Sequence, residues 1–259
     1  MSANISKILI IGATSGLGEA FAKHFYAQGK KVIAGGRRLE RLNSLKTQLF
    51  GMETVQIDVE DVNSLESNLN SIIKAHPDLD SVFVMAGKME LFNFTDPISS
   101  TSKSIISEAT TNFIAPILIA RTMIPHFQSL ERATTFITVS SGLAYIPMPL
   151  FPVYDATKAG IHTFSVVLRT QMAGSNVNII ELAPPYVDTD LDSHFREKMV
   201  KLQGDNAHPP MPLEEYMEKA TAIMEKEGVK EVAVGFADIG VSTWRGAFGP
   251  VLEKFGLAG

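Results

Sequence analysis

The sequence contains no cysteine. That excludes a disulfide scaffold, a zinc–thiolate site, an iron–sulfur cluster and a thiol nucleophile. It also lacks any apolar run near the roughly 20 residues that a membrane helix needs. The apolar stretch nearest the N-terminus, residues 8–11, is too short for a signal-peptide core. Basic residues show no excess: 23 Lys and Arg stand against 28 Asp and Glu, for a formal net charge of -5, and no basic run occurs. Nucleic acid and membrane are therefore not expected partners. Internal repeats, low-complexity segments and linkers are missing as well. What remains is 259 residues, 45% of them hydrophobic, ample for a sizeable core. The expectation is one globular domain over 1–259, cytoplasmic, with no metal site.

Short apolar runs alternate with longer segments of helical period. Strands are expected at residues 7–11, 32–34, 54–57, 81–85, 135–139, 177–182 and 231–234. The first helix presents Leu17, Ala20, Phe21 and Phe25 on one face and is closed by Gly29. Leu39, Leu42, Leu45 and Leu49 mark the second. Asp61 can cap the third, which Pro77 stops. A long helix is expected over about 102–127, with a kink at Pro116, and another over about 153–172. Near-continuously apolar strands separated by helices predict an α/β fold. In detail this is a Rossmann-type doubly wound parallel sheet of about seven strands, with helices on both faces.

The turn between the first strand and the first helix reads Gly12-Ala13-Thr14-Ser15-Gly16-Leu17-Gly18. Gly12 permits the tight turn, Gly16 lets the backbone approach a pyrophosphate, and Gly18 lets the helix pack close to the sheet. The helix N-terminus then offers N–H groups and a positive dipole end to phosphate. Gly12, Thr14, Ser15, Gly16, Leu17 and Gly18 are the candidate cofactor contacts. The second strand ends in Gly35-Gly36 and is followed by Arg37-Arg38. An NAD site usually places Asp or Glu at this point for the ribose 2′-hydroxyl. A guanidinium without a carboxylate favours the 2′-phosphate of NADP(H), with Arg37 the first choice and Arg38 the second.

Tyr154 and Lys158 stand four residues apart, on one face of a helix and one turn from each other. A tyrosine with an ordinary pKa of about 10 exchanges protons poorly near neutrality. A neighbouring ammonium is expected to lower that value and make Tyr154 a usable acid and base.

The G-x-x-x-G-x-G spacing and the Tyr154/Lys158 pair resemble the short-chain dehydrogenase/reductase superfamily in its single-domain form, over nearly the whole chain. The resemblance implies that Ser141, rather than its neighbour Ser140, holds the substrate oxygen. It implies that Asn112 bends the long helix and holds a relay water, and that Lys158 also binds the nicotinamide ribose. Asp58 and Val59 would border the adenine, although Asp58 also suits a helix cap. Ala86-Gly87 would let the cofactor approach. Pro184, Val187 and Thr189 would hold the nicotinamide carboxamide. Departures are Ile11 for the usual Thr, Val84-Met85 for Asn-Asn, and Pro185 for glycine. The run Glu181-Leu182-Ala183-Pro184-Pro185, with Val187-Asp188-Thr189 and a late Val234 to Ala237, resembles a microbial subgroup, the DltE-like oxidoreductases. A homodimer or homotetramer is implied on the same ground.

Residues 188–228 break the strand–helix rhythm and read as a lid over the site. The apolar side of their helix, with Leu213, Tyr216, Met217, Ala220 and Ile223, meets either the substrate or the body. Leu143, Tyr145, Met148, Tyr186 and Phe195 are candidate pocket walls, with plain packing the leading alternative for each. No Arg or Lys is placed beside the carbonyl site. The function read from this is NADP(H)-dependent hydride transfer to or from a small, largely apolar carbonyl or alcohol substrate. The alternative is a nucleotide-binding sensor without turnover.

Overall fold

The computed structural model describes residues 4–96, 98 and 100–257. In chain order the strands and helices begin with β1 (Lys7–Ile11), α1 (Gly16–Ala27), β2 (Lys31–Gly36), α2 (Leu39–Gln48), β3 (Glu53–Gln56) and α3 (Val62–Ala75). Next come β4 (Ser81–Val84), α4 (Ser102–Ala109), α5 (Ala115–Gln128), β5 (Thr134–Val139) and α6 (Pro152–Gln171). They end with β6 (Val177–Ala183), α7 (Arg196–Gln203), α8 (Leu213–Met224), β7 (Glu231–Ala233) and α9 (Phe236–Lys254).

All five residues of β1 are buried, because the strand is interior and covered on both faces. Alternation sends Ile8 and Ile10 to one face, with Phe21 and Phe25 of α1 and Tyr216 and Ala220 of α8. Leu9 and Ile11 go to the other, with Leu65 and Leu69 of α3 and Ile119 and Met123 of α5. Each such side chain, fully buried, contributes about 1.5–3 kcal/mol. The seven strands form one parallel sheet in the order β3-β2-β1-β4-β5-β6-β7. This is the doubly wound arrangement expected from the pattern. The order reverses between β1 and β4, which opens a crevice beyond their C-terminal ends, where such sheets bind ligands.

The helix expected over 102–127 is interrupted. A five-residue π turn, Thr110–Ile114, separates α4 from α5 and contains Asn112. The break therefore precedes Pro116, which sits in the first turn of α5, where a missing N–H is tolerated. Helix α9 escaped the periodicity reading because Gly240, Gly246, Gly249 and Pro250 dilute its pattern. Among the described residues no helix is long and apolar enough to cross a membrane.

Candidate active site

The glycine turn is built by close backbone contact. Gly12 N and Ala13 N both donate to Gly35 O, at 2.8 and 2.9 Å. Gly12 has φ +102°, and a Cβ there would lie 2.5 Å from Ala86 N; a Cβ on Gly18 would lie 2.1 Å from Gly12 O. No other residue fits either position without moving backbone. The turn thus presses against Ala86-Gly87, the segment leaving β4. Gly16, Leu17 and Gly18 line the cleft at the positive end of α1.

Arg38, rather than Arg37, lies on this turn. Its Nε and Nη2 donate to Thr14 Oγ1 at 3.0 and 2.8 Å, and Nη2 donates to Ser15 Oγ at 2.6 Å. Arg37 turns outward, with Nη1 2.7 Å from Glu60 Oε1 and 3.9 Å from Asp58 Oδ1. Arg41, which the sequence reading missed, joins the group. Its Nη1 donates to Thr14 O at 3.2 Å and to Asp190 Oδ2 at 3.1 Å. Its spacing of three from Arg38, at a helix start, was the available signal. Burial and the neighbouring guanidiniums Arg41 and Arg37 hold Arg38 below its ordinary value, against Asp190 and Glu19. Arg38 and Arg41 thus meet at the glycine turn, beside a β2 that carries no carboxylate. Val59, Ala86 and Gly87 line the cleft. Asp58 is exposed, and its Oδ1 accepts from Glu60 N at 3.0 Å.

At the other end α6 carries Tyr154 and Lys158, 7% and 4% exposed. Lys158 Nζ donates to Val139 O at 2.8 Å and lies 5.4 Å from the centroid of the Tyr154 ring. Ser141 opens a short 3-10 turn after β5, and its Oγ accepts from Leu143 N at 3.1 Å. Ser140 is committed elsewhere: its Oγ donates to buried Glu181 at 2.5 Å. Asn112 is held from three sides. Its Oδ1 accepts from Lys88 N, and its Nδ2 donates to Lys88 O and to Thr157 Oγ1.

One expectation about the electrostatics is corrected here. Tyr154 is not lowered: burial raises its phenol above the ordinary value, with the Ser141 hydroxyl working the other way. Desolvation of the phenolate outweighs that hydroxyl, and the charges of Glu108 and Asp155 act in the same direction as burial. Lys158 itself is pushed down to about 8 by burial, opposed by the charge of Glu108. Tyr154 is therefore a neutral proton donor at pH 7, beside an ammonium that titrates just above it.

The segment after β6 closes the cleft. Pro184, Pro185, Tyr186, Val187 and Thr189 line it. Met211 N donates to Tyr186 O, and Asp188 N to Met211 O, which pins the strip down. The whole cleft encloses about 930 Å³ and runs from Arg38 to Tyr154 and Met148.

Leu143, Met148 and Tyr186 form walls, as expected, joined by Met89, Phe151 and Met199. Tyr145 does not: its hydroxyl donates to Glu181 Oε1 at 2.9 Å, away from the cleft. Phe195 packs behind the wall against Phe151, with centroids 5.9 Å apart. In residues 188–228, the strip around His208 to Met211 borders the cleft, whereas Tyr216 and Ala220 of α8 pack into the body against α1.

Known proteins resemble this arrangement. The profile of the family described as short chain dehydrogenase matches residues 6–200. An uncharacterized oxidoreductase, DltE, of Bacillus subtilis (strain 168) is 36% identical over 193 residues, which are 74% of this chain and 75% of that protein. The NADP-dependent 3-hydroxy acid dehydrogenase YdfG of Salmonella typhi is 32% identical over 202 residues, 77% of each chain. A solved structure, the closed form of serine dehydrogenase complexed with NADP+, superposes with a TM-score of 0.75 at 26% identity, covering 88% of this chain and 94% of that one.

Proposed function

The chain belongs to the short chain dehydrogenase family, and on that premise we propose that it is an NADP(H)-dependent oxidoreductase. Its substrate would be a small, largely apolar carbonyl or alcohol compound. The observation that carries the reading is the meeting of Ser141, Tyr154 and Lys158 with the glycine turn along one cleft. Asn112 stands immediately behind Gly87, where a Cβ would lie 3.7 Å from its Oδ1. The residues present fit a dinucleotide: the glycines leave no room for side chains at the turn, and three guanidiniums stand at the end of β2. YdfG and the serine dehydrogenase complex are NADP proteins by name, which supports the same choice.

In this reading Gly12, Thr14, Ser15, Gly16, Leu17 and Gly18 bind the pyrophosphate. Arg38, with Arg41 and Arg37, binds the 2′-phosphate. Asp58, Val59, Ala86 and Gly87 border the adenosine half, and Pro184, Val187 and Thr189 the carboxamide. When bound, NADP(H) supplies or accepts the hydride. The chain supplies the rest. Ser141 orients the substrate oxygen. Tyr154, kept neutral by burial, gives that oxygen a proton in reduction and takes one back in oxidation. Lys158 stabilises the phenolate that remains. Asn112 orders the Lys88 backbone behind the pair. Leu143, Met148, Phe151 and Met199 exclude water and favour an apolar substrate.

Residues 1–259 act as one dinucleotide-binding domain, with 188–228 as the substrate-covering segment. Ile106, Ile114 and Val167, exposed on the helices around Asn112 and Tyr154, support a homodimer or homotetramer. The test is NADPH oxidation across a panel of neutral ketones and aldehydes, beside equilibrium binding of NADPH and NADH. Tight NADPH binding with no oxidation on any member would overturn the enzyme reading in favour of a nucleotide-binding sensor. Equal kinetic constants for the two cofactors would overturn the NADP(H) assignment.

A further inference from the structure

We propose that Glu108 is a positioning residue for Lys158, a buried carboxyl whose ionised form keeps the lysine ammonium charged beside Tyr154. The proposal deepens the oxidoreductase reading above and rests on it.

Glu108 sits in the last turn of α4, directly before the π turn that contains Asn112. It is fully buried, and among the described residues no side chain hydrogen-bonds its carboxyl, which has only the backbone N–H of Glu90 beside it. A buried carboxyl in that state is stable only if it is neutral or faces an opposite charge. Lys158 has the complementary need. It is buried, and its one hydrogen bond goes to a neutral carbonyl, Val139 O. Helices α4 and α6 pack together, which brings the two into electrostatic contact.

The groups acting on Glu108 come from each element around it. Glu90 approaches from the segment between β4 and α4; Asp155 and Lys158 approach from α6, where Tyr154 also feels its charge. Lys158 is the only cation among them. Glu90 is already paired with His194, 3.0 Å away. Asp155 Oδ2 accepts from Met148 N at 2.6 Å. Lys88, the neighbouring cation, is taken by Glu60 and the Ser107 hydroxyl. Glu108 and Lys158 are thus each other's natural counter-charge. Two more buried polar atoms without partners stand beside them: Thr111 Oγ1, one helical turn along from Glu108, and Asp155 Oδ1, on the residue after Tyr154. Thr111 itself lines the cleft.

Burial and Glu90 raise the Glu108 carboxyl to about 8, and burial lowers Lys158 to about 8. The two therefore titrate as a coupled pair. Below that range Glu108 is neutral and Lys158 is charged. Once ionised, Glu108 favours the charged form of Lys158. An uncharged isostere cannot do this.

The test is Glu108→Gln in the whole protein. The pH profile of kcat for reduction should lose its alkaline limb about one pH unit earlier, with NADPH affinity unchanged. Glu108→Asp should recover part of the limb. Superimposable profiles for wild type and Glu108→Gln, or a shift that Asp leaves untouched, would overturn the proposal. A second readout needs no turnover. Wild type should show the infrared carbonyl band of a protonated buried carboxylic acid, disappearing well above the ordinary carboxylate range. Glu108→Gln should lack that band, and Asp155→Asn should keep it. A wild-type protein without such a band, with turnover intact, sinks the Glu108 role alone. A titrating band in a protein that turns over no carbonyl leaves the pairing standing and sinks the oxidoreductase reading.

Discussion

The two ends of the cleft solve opposite problems. At the β1–β2 end the charges are half exposed and numerous, and they are held by flexible arms. The Arg37 side chain is 52% exposed and shared with Glu60 and Asp58, and the Arg41 side chain is 48% exposed and bridged to Asp190. Solvent screens such pairs, so each is worth about 0–1 kcal/mol and yields readily to a competing phosphate. At the β4–β5 end the charges are few and buried, and they are held by helix geometry. There desolvation rather than pairing decides protonation, raising Tyr154 and Glu108 and lowering Lys158. The contrast separates binding from chemistry. In the proposed reading, affinity is distributed over replaceable contacts, whereas proton transfer depends on three or four buried groups.

That contrast can be broken or sharpened by substitution. Tyr154→Phe should reduce kcat by about 10²–10⁴-fold while NADPH affinity, measured by fluorescence titration, stays within a factor of about two. Loss of both together would erase the division between the ends.

The next effect is on pH. Lys158, held down to about 8, carries its charge below that value and loses it above. The rate of reduction should therefore fall through the region above pH 8, about tenfold per unit at the limit, in stopped-flow single turnovers. The KM for NADPH should change far less across the same range, since the guanidiniums that would hold the 2′-phosphate stay charged.

Arg38→Ala should raise the KM for NADPH by about tenfold, the worth of one charge-assisted hydrogen bond, and leave both kcat and the NADH constants alone. A parallel rise for NADH would mean that Arg38 only supports the turn through Thr14 and Ser15. The smallest effect belongs to Arg37→Ala, about twofold on the same KM, because Glu60 already holds that side chain. A larger loss from Arg37 than from Arg38 would reverse the geometric ranking of the two arginines.

The legible part of the site was the part carried by short-range spacing. Gly12, Gly16 and Gly18 and the Tyr154/Lys158 pair could be read because a turn and a helix convert sequence intervals directly into geometry, whereas Ser141 came from the family resemblance. For Asn112 the resemblance implied a local bend of the long helix, and a π turn lies there. The π turn around it depends on how α4 and α5 pack on α6. Tyr145 and Phe195 could be read either as walls or as packing, because an aromatic near a site reads the same whether it faces the ligand or the core, and both pack. Arg41 and Glu108 were missed because a charged residue on a helix looks solvated until neighbouring elements are in place. The lowered pKa expected for Tyr154 failed for a related reason: the spacing to Lys158 was right, but the burial that outweighs it is a sum over many elements.

By itself, then, the sequence determined the alternation of strand and helix, the doubly wound sheet, the glycine turn and the pair on α6. Each follows from interactions between residues a few positions apart. Only the tertiary structure decided which arginine meets the turn, which serine is free, which way Tyr145 points and what charge lies behind Lys158. Those outcomes depend on desolvation and on partners brought together from distant segments, and neither quantity is a local property of the chain.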